Sequence, residues 1–319
     1  MSRIVLIVLV CYTSLAFAQT KPVISTIDIT NFWLAFDQVQ NESDSAKAVA
    51  IIKSSYVDQA TKGLHYFIQS RHFKPVEWYQ MIKSYPKYLT SIRPNTLRLA
   101  TQEVQFNEVL NHFAQLYPAF KQPSIYFCIG TLSTGGTTKN GQILIGTEIL
   151  IGDSTSNASE LPAFFKSLLY SSPTKMLYLV AHEAVHTQQK THGYGMKTPL
   201  LGHALLEGSC DFMAELLLER PVDFLPYINY GKTKRQALWQ QFSKDLYSTS
   251  SDTRDQWFYN SLDYPVGQGD LGYFIGYEIA KRYYLNARDK KKAIKDILSI
   301  DCNSPKKVKK FLAKSGFNG

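Results

Sequence analysis

The sequence predicts an α+β fold, mostly helical, with a small antiparallel sheet. Three observations predict it. Apolar residues recur at helical spacing through most of the chain. One stretch, 124–150, is instead rich in β-branched and aromatic residues and carries an Asn-Gly turn. No repeat, low-complexity tract or linker divides the 319 residues, so a single domain over 19–319 is expected. Hydrophobic residues make up 45% and charged residues 19%, which suits a buried core and excludes whole-chain disorder.

In chain order, the first element is a targeting segment. Ser2 and Arg3 precede the apolar run Ile4–Val10, and Ala16-Phe17-Ala18 has the small–x–small pattern of a signal-peptidase site. This predicts a signal peptide over 1–18 and a periplasmic or secreted protein. The apolar run is too short to span a bilayer. Cys11 follows Val10, where a lipoprotein signal needs a small residue, so no lipobox is read.

Residues 26–120 read as helices, and 19–120 as a helical subdomain. The spacing marks Ala46–Ile68, Val76–Leu89 and, after a turn at Pro94, Leu99–Leu116. Ser124–Ile129 and Gln142–Leu150 read as the strands of a hairpin, with Gly135-Gly136 and Asn140-Gly141 between them. Helices resume over 160–315. Ser172-Pro173 and Thr198-Pro199 have the pattern of a polar cap followed by proline at the first helical position.

The motif that carries chemistry is His182-Glu183-Ala184-Val185-His186. Positions i and i+4 lie one turn apart on a helix, so both imidazoles can reach one metal ion. Glu183 can approach a metal-activated water as general base without binding the metal. The pattern is the signature of zinc hydrolases, and one catalytic zinc ion is expected. Two residues compete as third ligand. Glu207 follows His186 after 20 residues, on a second helix that starts near Thr198 and ends before Pro221, with Gly193 and Gly195 turning the chain between. Asp211, one turn after Glu207, is placed to orient a zinc-bound histidine. Two acids flanked by Leu205, Leu206, Phe212 and Met213 need a cation if buried, which favours Glu207. His192 has the offset of the pattern HExxHxxGxxH, but Gln189 stands where that pattern has glycine. His203, one turn before Glu207, reads first as a structural histidine and second as a substrate contact.

The formal charge is +9. Residues 281–319 hold 12 Lys/Arg against 3 Asp, which leaves 23 charges of each sign in the rest of the chain. The excess belongs to two expected amphipathic basic helices at the C-terminus. Their default role is solvation, and the sharper one is peripheral contact with an anionic envelope surface. No nucleic-acid partner is expected, because no recognition motif is present. Cys128, Cys210 and Cys302 are odd in number and lack a CxxC pair, so buried free thiols are expected.

HExxH followed by ExxxD resembles the gluzincin metallopeptidases, of which thermolysin is the familiar member, over residues 182–211. The resemblance implies a zincin-like fold and a zinc set of His182, His186 and Glu207. It also implies Glu183 as base, Asp211 as support and a peptide or protein substrate. Three further segments are similar to a bacterial family of predicted zinc-dependent proteases related to the gliding-motility GldB-like proteins of Bacteroidota. They are Ser91–Leu97, Ile125–Gly130 with its Gly-Gly turn, and Asp270–Tyr277. This second resemblance spans most of the mature chain. GldB-like proteins are lipoproteins, so the missing lipobox departs from the pattern. Resemblance to related tyrosine-bearing helices points to Tyr273, then Tyr277, as the donor that stabilises an oxyanion. By analogy of fold, strand 142–150 forms a sheet edge along which a peptide could lie. The function expected is an exported zinc metallopeptidase. The alternative is a non-catalytic GldB-like structural or assembly protein of the cell envelope.

Overall fold

A computed structural model describes residues 22–169, 174–193, 195 and 197–319. It is an α+β fold, mostly helical, with one four-stranded sheet. The signal peptide expected over 1–18 and the cap expected at Ser172-Pro173 lie outside the described residues.

Strand β1 (Ile24–Ser25) leads into α1 (Ile27–Gln40). The stretch Ala46–Ile68, expected as one helix, is two: α2 (Ser45–Ile52), which runs on through a π turn to Val57, and α3 (Lys62–Arg71). The break has a tertiary cause. Buried Asp28 of α1 accepts the Thr61 N–H at 2.9 Å and the Thr61 hydroxyl, which holds Thr61 as a new N-cap. Val76–Leu89 also divides, into α4 (Pro75–Ser84) and α5 (Pro86–Arg98), because Pro86 has no N–H to continue the first helix. Pro94 makes no turn. It sits exposed inside α5, where water can serve the freed carbonyl. Helix α6 (Glu103–Leu116) follows.

The remaining strands are β2 (Ile125–Cys128), β3 (Gly136–Lys139) and β4 (Gln142–Gly146), in the spatial order β1-β2-β4-β3. The hairpin forms around Asn140-Gly141, but it joins β3 to β4 rather than 124–129 to 142–150. Asn140 and Gly141 have φ of 52° and 68°, the double positive φ of a type I′ turn. β2 pairs with β4 in parallel, as does β1 with β2, so the sheet is mixed and not antiparallel. β4 is therefore an interior strand, and the free edge expected there belongs to β3.

The C-terminal half holds α7 (Ala163–Leu169), α8 (Lys175–Gln188), α9 (Leu200–Leu218), α10 (Pro226–Phe242), α11 (Ser251–Asp255), α12 (Leu271–Asn286), α13 (Lys290–Leu298) and α14 (Pro305–Ser315). Helix α9 begins one residue later than its sequence cap suggests. Pro199 is the N-cap, and the Thr198 hydroxyl instead closes the preceding loop by accepting the Gly195 N–H at 2.9 Å. Helix α3 packs on one face of the sheet, with Gly63 against the Tyr126 ring. Helix α8 packs on the other, with Glu183 against Gly136. The α9–α12 crossing is the closest helix contact. A Cβ on Gly208 would lie 2.2 Å from the Tyr277 nitrogen, and one on Gly276 would overlap the Ala204 carbonyl. One hydrophobic core extends from Ile29 to Phe311, and the three cysteines are buried and free as expected.

Candidate metal centre

The HExxH residues lie on α8, whose apolar face from Met176 to Val185 is buried against the sheet and α9. His182 and His186 point the same way, one turn apart. Glu207, on α9, faces both. Its Oε2 is 3.5 Å from His182 Nε2 and 3.3 Å from His186 Nε2. Donors about 2.1 Å from a tetrahedral zinc lie about 3.4 Å from one another, so these separations fit the edges of such a site.

The far side of each ring decides its tautomer. His182 Nδ1 donates to Asp211 Oδ1 at 2.8 Å, on the same face of α9 as Glu207. Asp211 is fully buried and also accepts from the Tyr178 hydroxyl at 2.6 Å and the Tyr227 hydroxyl at 2.9 Å. His186 Nδ1 lies 2.8 Å from Gln189 Oε1. The Gln189 amide nitrogen donates to the Leu206 carbonyl at 2.7 Å, which can only accept, so Oε1 must be the end facing the histidine. Both Nδ1 atoms thus carry protons, and both Nε2 lone pairs are left to face Glu207.

The electrostatics call for a cation. Glu183, Glu207 and Asp211 are three buried carboxylates in one cluster. Burial opposes charge on His182, but the bonds from Asp211 and Glu207 outweigh it and push its pKa up to about 10. Burial likewise opposes charge on His186, and the Glu207 carboxylate raises its pKa. Glu207 is held well below the ordinary carboxylate range, because the histidines overcome its burial. Protein alone can neutralise the cluster by protonating the imidazoles or Glu183, whereas a divalent metal does so with the lone pairs already aimed.

Glu183 is 6% exposed, and its Oε2 is a buried oxygen with no hydrogen-bond partner. Burial raises its pKa, and the nearby histidines and Arg71 work against that rise. Its seat is Gly136, the first residue of the edge strand, where an added Cβ would stand 2.7 Å from Glu183 Oε1. Arg71, from the end of α3, reaches around that edge and donates to the Gly136 carbonyl at 3.0 Å.

The model of the gliding motility protein GldB family matches residues 18–319. The chain belongs to the gliding motility protein GldB family. No curated protein and no solved structure matches it. No described helix of this GldB-family chain is long and apolar enough to cross a membrane.

Of the residues singled out in the sequence, His182, Glu183, His186, Glu207 and Asp211 come together in this centre. His192 is exposed in the loop after α8. His203 is buried against Phe258, with ring centroids 5.9 Å apart, and burial lowers its pKa to about 4. Tyr273 stands in the first turn of α12 within an aromatic group, 5.6 Å from the Tyr227 ring and 5.5 Å from Phe258. Burial and then the Glu207 charge raise its hydroxyl pKa, which places Tyr273 in the electrostatic reach of the site. Tyr277 is committed elsewhere, donating to Glu215 at 2.6 Å. Cys210 adds a second donor set: its sulfur and the two histidines offer ligand atoms within 4.8 Å of one another. It lies 3.4 Å from His186 Nδ1, the nitrogen already used by Gln189, and burial pushes the thiol pKa well up. Glu207 is therefore the better third donor.

Sequence reasoning passed over Tyr178, Gln189, Tyr227, Arg71 and the special place of Gly136. Tyr178 was findable, since it lies one turn before His182 on the same stripe. Gln189 stood out only as a departure from a glycine pattern. Tyr227 and Arg71 carry no local signal, because each reaches the site from a different helix.

Proposed function

We propose that this GldB-family chain is an exported zinc-dependent hydrolase that cleaves peptide bonds, with one zinc ion on His182, His186 and Glu207. The observation that carries this reading is the convergence of two Nε2 lone pairs on Glu207 Oε2 beside the unpartnered Oε2 of Glu183. Kinship with zinc-dependent proteases rests on motif resemblance. When bound, zinc acidifies a water and polarises the scissile carbonyl. Glu183 takes a proton from the attacking water and returns it to the leaving amine. Asp211 and Gln189 hold the two imidazoles in the tautomer that leaves Nε2 free. To Tyr273, whose ring packs against that of Tyr227, this reading gives the hydrogen bond to the developing oxyanion.

A second reading is a non-catalytic structural or assembly protein of the cell envelope built on the same scaffold. The family match favours it directly, since it names gliding motility and no hydrolysis. The side-chain geometry favours the hydrolase. Metal analysis of the purified protein and a peptide-library screen of wild type and Glu183→Gln separate the two. The hydrolase reading requires stoichiometric zinc in both proteins and cleavage by the wild type alone. A chain that neither carries nor takes up zinc ends that reading. Unchanged cellular function in the Glu183→Gln strain supports the envelope role.

A further inference from the structure

The basic C-terminus folds into one surface. Helices α13 and α14 bury Ile294, Ile297 and Leu298, and Val308 and Phe311, and turn their lysines outward. Both helices pack against α12. Asp296 of α13 accepts Lys292 Nζ at 2.6 Å and the Tyr283 hydroxyl of α12 at 2.8 Å, and it feels the charge of Lys314 from α14. Tyr283 stacks on Phe311 at 4.3 Å, and the Asn286 amide donates to the Ser315 carbonyl at 2.9 Å. The end of α12, α13 and α14 therefore present a continuous face.

Acids neutralise little of it. The three aspartates are occupied: Asp289 caps α13, Asp296 takes Lys292, and Asp301 takes Lys307 at 3.0 Å. Lys291, Lys295, Lys306, Lys309, Lys310 and Lys314 are exposed and form no salt bridge among the described residues. Several lie three or four positions apart on one helix, where like charges destabilise it. A surface needing only solubility would interleave signs, and outside residues 281–319 the chain carries both signs in equal number. At one end of this face stands an apolar tip with its own cations beside it. Leu285 is 58% exposed at the end of α12, between exposed Arg282 and Arg288, and its carbonyl accepts Lys290 Nζ at 3.0 Å.

We propose that this face docks on an anionic lipid bilayer, with the lysines on headgroup phosphates and Leu285 entering the interface. Exposed lysines on α13 and α14, and an exposed leucine flanked by Arg282, Arg288 and Lys290, match that surface in charge and in polarity. Such docking needs no hydrolytic activity.

The test is co-sedimentation of the full chain with vesicles of phosphatidylcholine alone or of phosphatidylcholine with phosphatidylglycerol. Binding is expected only to the anionic vesicles and should be lost in high salt. The variant Lys306→Gln/Lys309→Gln/Lys310→Gln alters exposed side chains only. It should unfold at or slightly above the wild-type temperature, since it relieves like-charge pairs on α14, and bind at least about tenfold more weakly. Leu285→Ser should weaken binding several-fold and leave its salt dependence unchanged. Equal binding to both vesicle types, or undiminished binding by the triple variant, overturns the proposal. So does retention on an anionic polymer such as heparin without vesicle binding, which assigns the face to a different polyanion.

Discussion

His186 Nδ1 and Gln189 Oε1 lie 2.8 Å apart at the end of α8, and the same glutamine ties α8 to α9 through the Leu206 carbonyl. A residue three positions after His186 thus sets that ring's tautomer and also joins the two helices of the centre. Gln189→Ala should keep the fold and lower zinc affinity by about 10–100-fold. Competition against a chromophoric chelator measures it, and wild-type affinity in the variant would remove Gln189 from the site.

Zinc should stabilise the folded chain. Free zinc at about 100 times its Kd should add about 2.7 kcal/mol to the unfolding free energy. His182→Ala and His186→Ala should abolish the response. Thermal melts with and without a chelator read it directly, and an equal shift in these variants would place the metal elsewhere.

Tyr227 holds Asp211 Oδ2 from α10, at 2.9 Å. Tyr227→Phe leaves the ring packing and removes that donor from a fully buried carboxylate. The expected loss is about 1–3 kcal/mol in denaturant unfolding.

Gly208→Ala tests the helix crossing that brings Tyr273 towards Glu207. The new Cβ would meet the Tyr277 nitrogen at 2.2 Å and the Tyr273 carbonyl oxygen at 2.3 Å, and backbone cannot move aside as a flexible side chain does. Destabilisation of about 3 kcal/mol or more is expected, read from urea midpoints. A midpoint unchanged from wild type would mean that the helices do not cross this closely.

Glu148 gives the fold a pH dependence. It is fully buried and accepts the N–H groups of Gly130 and Leu132, and burial raises its pKa from 4.5 to about 7. The folded state therefore holds this proton more tightly than the unfolded chain does. Its contribution is fully present below pH 4.5 and is lost as pH rises through about 7. The difference amounts to about 3 kcal/mol. Glu148→Gln should flatten the stability profile across that window, as seen by denaturation at a series of pH values.

Much of the centre was legible in the sequence. His182 with His186, and Glu207 with Asp211, are each pairs one helical turn apart, and that spacing alone puts both members on one face. The mostly helical α+β fold and the Asn140-Gly141 turn were legible for the same reason, since each depends on residues close along the chain. The sheet order was not. Local composition marks 125–128 as a strand but cannot say that β4 will lie beside it in parallel while β3 takes the edge.

The sequence by itself determined which residues share a helical face and carry metal-binding chemistry, because helix geometry converts a four-residue spacing into proximity. Only the tertiary structure brings both Nε2 atoms to one carboxylate oxygen of Glu207, by crossing α8 with α9, while His192 stays exposed in the loop after α8. It also set Gly136 against Glu183, tied Tyr227 and Gln189 to the histidine–carboxylate cluster, and gathered three basic segments at one end of the chain. Each of these depends on contact between elements distant along the chain, and no local pattern encodes such contact.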